Sequence, residues 1–306
     1  MERELVDWLL ANLPPHPLLR IGIGDDAAVL ERAPEGELVV TTDSLGDGVH
    51  FDLARHEPRW IGYKCLAVNL SDLAAMAAEP IAGVVSLMLP RSHPNVRVLA
   101  QGLYEGMLPL AERFGCSIAG GDTNVWDGPL TVCVTALGHT TLSGPLTRSG
   151  ARPGDAILVT GELGGSITGH HLTFTPRVEE ALLLHDRYGL SAGMDISDGL
   201  ALDLSRLCQA SGCGAVIDAA EVPVSPAAEQ LAQAAGGDAL SHALADGEDF
   251  ELLLTAPRPV ADRMIREQPV ACGLTIIGEV EPSPGLRRRD RQGVVSRLEP
   301  QGYWHS

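Results

Sequence analysis

Lysine is all but missing from this chain. Lys64 is the single one in 306 residues, and it lies inside an apolar stretch. A Walker-A loop, G-x-x-x-x-G-K-[ST], is therefore excluded, because that motif needs its lysine to reach the phosphates. No G-x-G-x-x-G follows a first strand either, and Gly22-Ile23-Gly24 is too little to make a dinucleotide-binding turn. Positive charge is scarce throughout. Residues 1–150 hold 10 Lys/Arg against 18 Asp/Glu and the remainder 12 against 22, so both halves share in the net charge of −18. Neither half reads as a nucleic-acid-binding domain, and the one basic cluster, Arg287-Arg288-Arg289 with Arg291, reads as a solvated, hairpin-like face. The six cysteines include no C-x-x-C pair, which leaves buried, reduced thiols. No uncharged apolar run approaches the roughly 20 residues of a membrane helix, and residues 2–10 pattern as an amphipathic helix rather than a signal peptide. A soluble cytoplasmic protein, with no nucleic-acid or membrane partner, is expected.

What is present reads as globular: 45% hydrophobic residues, 20% charged, and length enough for two cores. Strand and helix signals alternate. Residues 37–42 (ELVVTT), 81–89, 116–119 and 130–137 pattern as strands, and 58–78 and 94–114 as helices, the first with Pro58 suited to its opening turn. Gly and Pro cluster at 148–155 (RSGARPGD), which places a domain boundary between 1–148 and 149–306. Beyond it, 156–160, 215–217, 250–254 and 275–280 pattern as strands and 165–172, 177–188 and 200–210 as helices. The fold class is mixed α/β (α+β), without a short repeat.

Against this background, aspartate recurs beside Gly, Ser or Thr: Gly24-Asp25-Asp26, Thr41-Thr42-Asp43-Ser44, Ser71-Asp72, Gly121-Asp122-Thr123, Asp195-Ile196-Ser197-Asp198-Gly199 and Gly247-Glu248-Asp249. Carboxylates brought together repel by roughly 4 kcal/mol at about 4 Å and an effective dielectric of about 20, so convergence requires cations. Mg2+ carrying a phosphorylated substrate uses such oxygen ligands. Taken one at a time the segments stay ambiguous. Asp43 reads first as a turn aspartate after its strand, although Thr41 and Thr42 can offer oxygens beside it. Asp72 shares a face with Asn69 on a helix that is apolar nearly all round, and a buried aspartate needs a partner. Gly120-Gly121-Asp122-Thr123 reads as a turn open to close phosphate approach, and Ser197 or Asp198 as the cap of the helix after Gly199, itself an anion site.

Together, the strings GIGDDAAVL, TTDSLGDGVHF, YKCLAVNLSDLAAMAAEP, AGGDTN, LTRSGARPGD, DISDGLALDL and DGEDFELL closely resemble thiamine-monophosphate kinase, in order and at similar spacing from about Gly22 to Tyr303. That family is grouped with aminoimidazole ribonucleotide synthetase, selenophosphate synthetase and a hydrogenase-maturation enzyme, which bind ATP without a P-loop. The resemblance implies a two-domain aminoimidazole ribonucleotide synthetase-like architecture, whose N-terminal sheet pairs with that of a second subunit. It also implies the reaction, in which ATP and thiamine monophosphate give ADP and thiamine diphosphate with several Mg2+ ions. Carried residue by residue, it makes Asp26, Thr41, Thr42, Asp43, Asp72, Asp122, Asp195 and Asp198 magnesium ligands. Tyr104, Gly121, Asp122, Arg148 and Ser197 become ATP contacts, and His50, Glu248 and Tyr303 thiamine-phosphate contacts, with Trp304 the adjacent alternative to Tyr303. Asp25 and Asp249 keep no role beyond turn chemistry.

The chemistry is consistent with these residues. A phosphomonoester has a second pKa of about 6 and is already a dianionic nucleophile at neutral pH, so no catalytic base is expected; positioning and charge neutralisation carry the transfer. Other readings lack their marks. The first cysteine is Cys65, too late for a selenophosphate synthetase nucleophile, and the chain ends Tyr303-Trp304-His305-Ser306 without the cysteine of the hydrogenase-maturation enzyme. Thr42-Asp43-Ser44-Leu45 is not D-x-D, and no D-x-[DN]-x-[DN]-G calcium loop occurs.

Overall fold

The structure, a computed structural model, describes residues 8, 9, 11, 12, 19–21, 29, 30 and 36–304. Residues 8, 9, 11 and 12 are helical; the rest of the expected N-terminal helix, Gly22-Ile23-Gly24, Asp25 and Asp26 lie outside the described residues. A short antiparallel pair joins β1 (Leu19–Ile21) to β2 (Val29–Leu30). The chain forms two compact units, one from residues up to 73 with 78–142, the other from 143 onward with 74–77.

In the first unit a four-stranded sheet has the order β3 (Leu38–Gly46), β6 (Thr131–Thr140), β4 (Ala78–Pro90), β5 (Ser117–Trp126), antiparallel except for the parallel β4 and β5. Two helices accompany it, α1 (Pro58–Ala75) and α2 (Val96–Arg113). From Lys64 to Ala75 every residue of α1 is buried except Asp72, as expected for a helix that is apolar all round. The amphipathic α2 starts on Asn95, whose side chain accepts from Val98 N–H at 3.1 Å, and buries Leu99, Leu103, Met107 and Leu110 along one stripe. The two helices meet through glycine: a Cβ on Gly62 would lie 1.9 Å from Leu103 O, and one on Gly106 would lie 1.7 Å from Arg59 O.

Two strands run further than their sequence suggests. β3 continues through Asp43 to Gly46, each residue paired with β6, so Asp43 sits inside the strand and is not a turn residue. β5 likewise carries Gly120-Gly121-Asp122-Thr123 as strand, because pairing with β4 continues to Trp126. Ladder hydrogen bonds from a distant segment override the local turn preference of Gly and Asp.

The second unit holds a seven-stranded sheet in the order β13 (Val295–Arg297), β12 (Gly285–Arg289), β9 (Gly214–Asp218), β11 (Leu274–Glu281), β7 (Asp155–Thr160), β10 (Leu252–Pro257), β8 (Ala192–Asp195), antiparallel except for β9 with β12. Every residue of β7 is buried. The helices are α3 (His170–Thr173), α4 (Val178–Tyr188), α5 (Leu200–Ser211), α6 (Pro226–Ala235), α7 (Ala239–Ala245) and α8 (Arg258–Glu267). The expected helix at 165–172 is a 3-10 turn, Ser166–Thr168, followed by the single turn α3. The expected strand at 250–254 starts only at Leu252, since Glu248 and Phe250 take φ of 55° and 51° and cannot extend it. The basic cluster is more than a solvated face: in β12, Arg287 pairs with Glu281, and Arg289 with Asp218 (2.6 Å) and Glu279 (3.3 Å). All six cysteines are free thiols. Among the described residues no helix is long and apolar enough to cross a membrane.

Candidate active site

In the first unit, register sorts the candidate residues onto two faces of the sheet. Asp43, Val134, Val85 and Gly121 stand in one row across the strands; Ser44, Cys133, Ser86 and Asp122 form the next. Neighbouring rows point to opposite faces. Thr41 and Asp43 therefore face α1, where Thr41 Oγ1 donates to Asp72 Oδ2 at 2.5 Å. Asp122 and Thr42 stand on the opposite face. Thr42 Oγ1 donates to Val134 O at 3.1 Å and lies 3.0 Å from Thr135 Oγ1. Asp122 is exposed and accepts from Thr123 N–H at 2.9 Å and Asn124 Nδ2 at 2.7 Å. Gly121 is glycine by necessity, because a Cβ there would lie 1.9 Å from Val85 O.

The α1 side also holds two groups that were not assigned from the sequence. Asn69 is wholly buried, its amide donating to Cys65 O at 3.0 Å while Oδ1 has no partner among the described residues. Lys64 is wholly buried as well and donates to His50 O at 2.7 Å. Burial pushes the Cys65 thiol far up; the nearby Lys64 charge opposes that shift and the Asp43 charge adds to it. His50 is half-buried in the turn after β3. Its Nδ1 accepts from Gly46 N–H at 3.1 Å, which leaves Nε2–H as the donor of the neutral ring. Tyr104 lies apart in the packed stripe of α2, 2% exposed, and burial raises its phenol.

In the second unit, segments more than 100 residues apart in sequence come together. Asp195 ends β8, opposite Leu252 of β10. Glu248 N–H donates to Ser197 O at 2.7 Å, Phe250 N–H to Ile196 O at 2.8 Å, and Tyr303 N–H to Asp198 O at 2.9 Å. Ser197, Asp198, Glu248 and Tyr303 are thus neighbours through their main chains. Arg148 is exposed on the loop before β7, and its carbonyl accepts from Ser211 Oγ at 2.9 Å.

Neither Ser197 nor Asp198 caps α5. The cap position is Gly199, without a side-chain bond, and the acid comes from inside the helix. Asp203 Oδ2 accepts the N–H groups of Ser197 (3.0 Å), Asp198 (2.9 Å) and Gly199 (3.1 Å). Arg206 then bridges Asp203 Oδ1 (2.8 Å) and Asp198 Oδ2 (2.5 Å). Burial raises Asp203; the Asp198 N–H and the Arg206 guanidinium oppose that shift, and the Asp198 charge adds to it. Sequence reasoning missed Asp203 and Arg206; the visible signal was an acid in the first turn with an arginine three residues on.

The Glu248 loop is fixed from its other side. Gly164 N–H donates to Asp249 Oδ1 and Gly165 N–H to Asp246 Oδ2, both at 2.9 Å, and Ser166 Oγ donates to Gly247 O at 2.6 Å. Asp249 is 2% exposed, and burial beside Asp246, Glu251 and Asp203 pushes its carboxyl up to about 8. Glu251 is held by Arg177 in a fork of 2.8 and 2.5 Å and by Thr160 Oγ1 at 2.6 Å. Phe250 stacks on Phe174 with ring centroids 4.1 Å apart. Two left-handed non-glycine residues two positions apart, Glu248 and Phe250, locked by this much bonding, mark a loop whose shape is imposed by its surroundings.

Among the described residues no three His, Cys, Asp or Glu side chains are gathered as a metal cage. The candidate residues assigned to metal at α1 and β3 nonetheless offer oxygens, from Asp43, Asp72 and Thr41, and Asn69 adds an Oδ1 with no partner among the described residues. That set fits a hard divalent cation such as Mg2+ and not a soft one.

Known proteins resemble the whole chain. Residues 24–140 match the family model "AIR synthase related protein, N-terminal domain", and residues 152–291 match the corresponding C-terminal domain. Thiamine-monophosphate kinase of Rhodopirellula baltica is 40% identical over 313 residues, covering 100% of this chain and 97% of the relative. The crystal structure of thiamine-monophosphate kinase from Stenotrophomonas maltophilia superposes with a TM-score of 0.81 at 34% identity, over 93% of this chain and 95% of the other. AaThiL complexed with AMPPCP and TMP superposes with a TM-score of 0.78 at 29% identity, over 100% and 96%.

Proposed function

This chain belongs to the AIR synthase related proteins and, within them, to the thiamine-monophosphate kinases; from that membership we propose how its residues divide the reaction. The reaction is ATP-dependent phosphorylation of thiamine monophosphate to thiamine diphosphate. An oxygen of the acceptor phosphate forms the new bond to the γ-phosphorus of ATP, and the bond from that phosphorus to the bridging oxygen breaks, releasing ADP. The acceptor has a second pKa of about 6 and is mostly a dianion at neutral pH, so no side chain need remove a proton. The protein's task is to hold two anions in line against their repulsion.

Residues 1–148 serve ATP and Mg2+ binding and dimerisation, and residues 149–306 complete the chemistry. Asp26, Thr41, Thr42, Asp43, Asp72, Asp122, Asp195 and Asp198 would hold Mg2+, some through water. Bound Mg2+ would neutralise phosphate charge that this lysine-poor chain has little cation to meet. Tyr104, Gly121, Asp122, Arg148 and Ser197 serve ATP. His50 offers its Nε2–H to the acceptor phosphate, while Glu248 and Tyr303 meet the thiamine part, with the Glu248 carboxylate suited to its cationic ring. The open face of the first sheet, with Leu38 and Val40 exposed by 66% and 58%, supports pairing with a second copy. Six free thiols and an ATP substrate support a cytoplasmic location.

The observation that supports this division most is the main-chain joining of Ser197 to Glu248 and of Asp198 to Tyr303, since it unites segments assigned to ATP, metal and acceptor. Incubation with ATP, Mg2+ and a panel of phosphorylated acceptors, followed by product identification, tests the reaction. Thiamine diphosphate is expected as the product, and transfer to every acceptor alike, or only ATP hydrolysis, would refute it. Sedimentation of the purified protein tests the dimer.

A further inference from the structure

We propose that Lys64 is a positioning residue for the acceptor, acting through the main chain of His50. The inference rests on the reading of His50 as a thiamine-monophosphate contact. One lysine stands among 22 Lys/Arg, and it is wholly buried, at 0% exposure, in the middle of α1. An ammonium inside a protein must place its protons on oxygen, and Lys64 places one on His50 O at 2.7 Å.

The turn it reaches is closed on itself. His50 N–H and Val49 N–H both return to Gly46 O, at 3.0 and 3.2 Å, while Gly46 N–H goes to His50 Nδ1 at 3.1 Å. Val49 is 64% exposed, so the turn projects to solvent. The Lys64 bond ties this projecting turn to the most deeply packed helix of the unit. It fixes the carbonyl of the same residue whose ring is held in the Nε2–H form, so both the place and the direction of the donor are set. A guanidinium would be broader and would bring five N–H groups needing acceptors, a physical reason for lysine in a chain that otherwise uses arginine. Lys64 and Asp43 also act on the Cys65 thiol with opposite sign, so a competing role, counter-charge to a metal-holding carboxylate, must be told apart.

Michaelis constants for thiamine monophosphate and for MgATP, measured in the wild type, Lys64→Met, His50→Ala and the double variant, separate these roles. Lys64→Met should raise the acceptor KM about tenfold, since small misplacements of a binding group cost this much or more, and leave the ATP KM within about twofold. In the His50→Ala background the same change should add less than about twofold, because residues acting in series are not additive. An equal rise for ATP, or full additivity, overturns the proposal and favours the counter-charge role. An unchanged acceptor KM in His50→Ala overturns the His50 reading itself. If Lys64→Met does not fold, Lys64→Gln, shorter and uncharged, takes its place with the same expectation. No change in acceptor KM, or a rise shared with ATP, then overturns the proposal.

Discussion

Replacing Asp249 by Asn should make the protein more stable in mildly alkaline solution than it is in its natural form. The carboxyl is almost fully buried, accepts from Gly164 N–H through Oδ1, and has Oδ2 without a partner among the described residues. Burial among acids raises its pKa from 3.8 to about 8. Between those values the folded protein keeps a proton that the unfolded chain has lost. Its contribution is therefore fully present below the unfolded pKa and is lost as pH rises, at about 1.4 kcal/mol per pH unit, until it levels off beyond the folded pKa. Asn keeps the acceptor for Gly164 N–H, puts an amide donor where the carboxylic proton sat, and does not titrate. The advantage of Asp249→Asn over the wild type should accordingly grow by on the order of 2 kcal/mol between about pH 6 and pH 8. Urea unfolding of both proteins across that range, with unchanged slopes as the check on comparable unfolding, measures it. Parallel stability profiles would refute the reasoning, since they would mean that Asp249 is ionised in the folded state and balanced by a cation or solvent.

Three further outcomes follow from the bonds at the candidate site. Asp43→Asn or Asp72→Asn should abolish Mg2+-dependent turnover with the far-ultraviolet circular dichroism unchanged, and near-normal rates in either would refute a shared metal site. Glu248→Gln should raise the KM for thiamine monophosphate more than that for ATP; equal loss for both counts against an acceptor contact. Asp203→Ala leaves the N–H groups of Ser197, Asp198 and Gly199 without their acceptor, at a cost of about 3 kcal/mol or more, so an unchanged urea midpoint would show that the turn is held by something else.

Much of the first unit was legible because its signals are local. A β-rich run, an apolar helix opened by Pro58 and an amphipathic helix after Asn95 each state their conformation within one window. The sequence could not tell that Asp43 and Asp122 lie within strands on opposite faces, because face is set by pairing between β3, β6, β4 and β5, and alternation in Gly-rich or Thr-rich segments is weak. In the second unit β8 escaped notice: Ala192–Asp195 is four residues long and is a strand only because Leu252 to Thr255 pair with it from about sixty residues on. Helices α6, α7 and α8 were also missed, although Ser225 and Asp238 cap the first two in the ordinary way. The reach-back of Asp203 was invisible for a different reason. Expectation put the cap before the helix, and here the helix supplies its own acceptor for the preceding turn.

The hydrogen bond from Tyr303 N–H to Asp198 O has a consequence for synthesis. While the chain is being made, β8 has no neighbour until β10 has emerged, and the turn after β8 then still lacks its bond from a residue more than 100 positions later. Such long-range closure is slow to form and leaves strand edges open meanwhile. The turn bearing Ser197 and Asp198 therefore reaches its final bonding only once Tyr303 has emerged, so a nascent chain that has already built its first sheet is not yet a working enzyme.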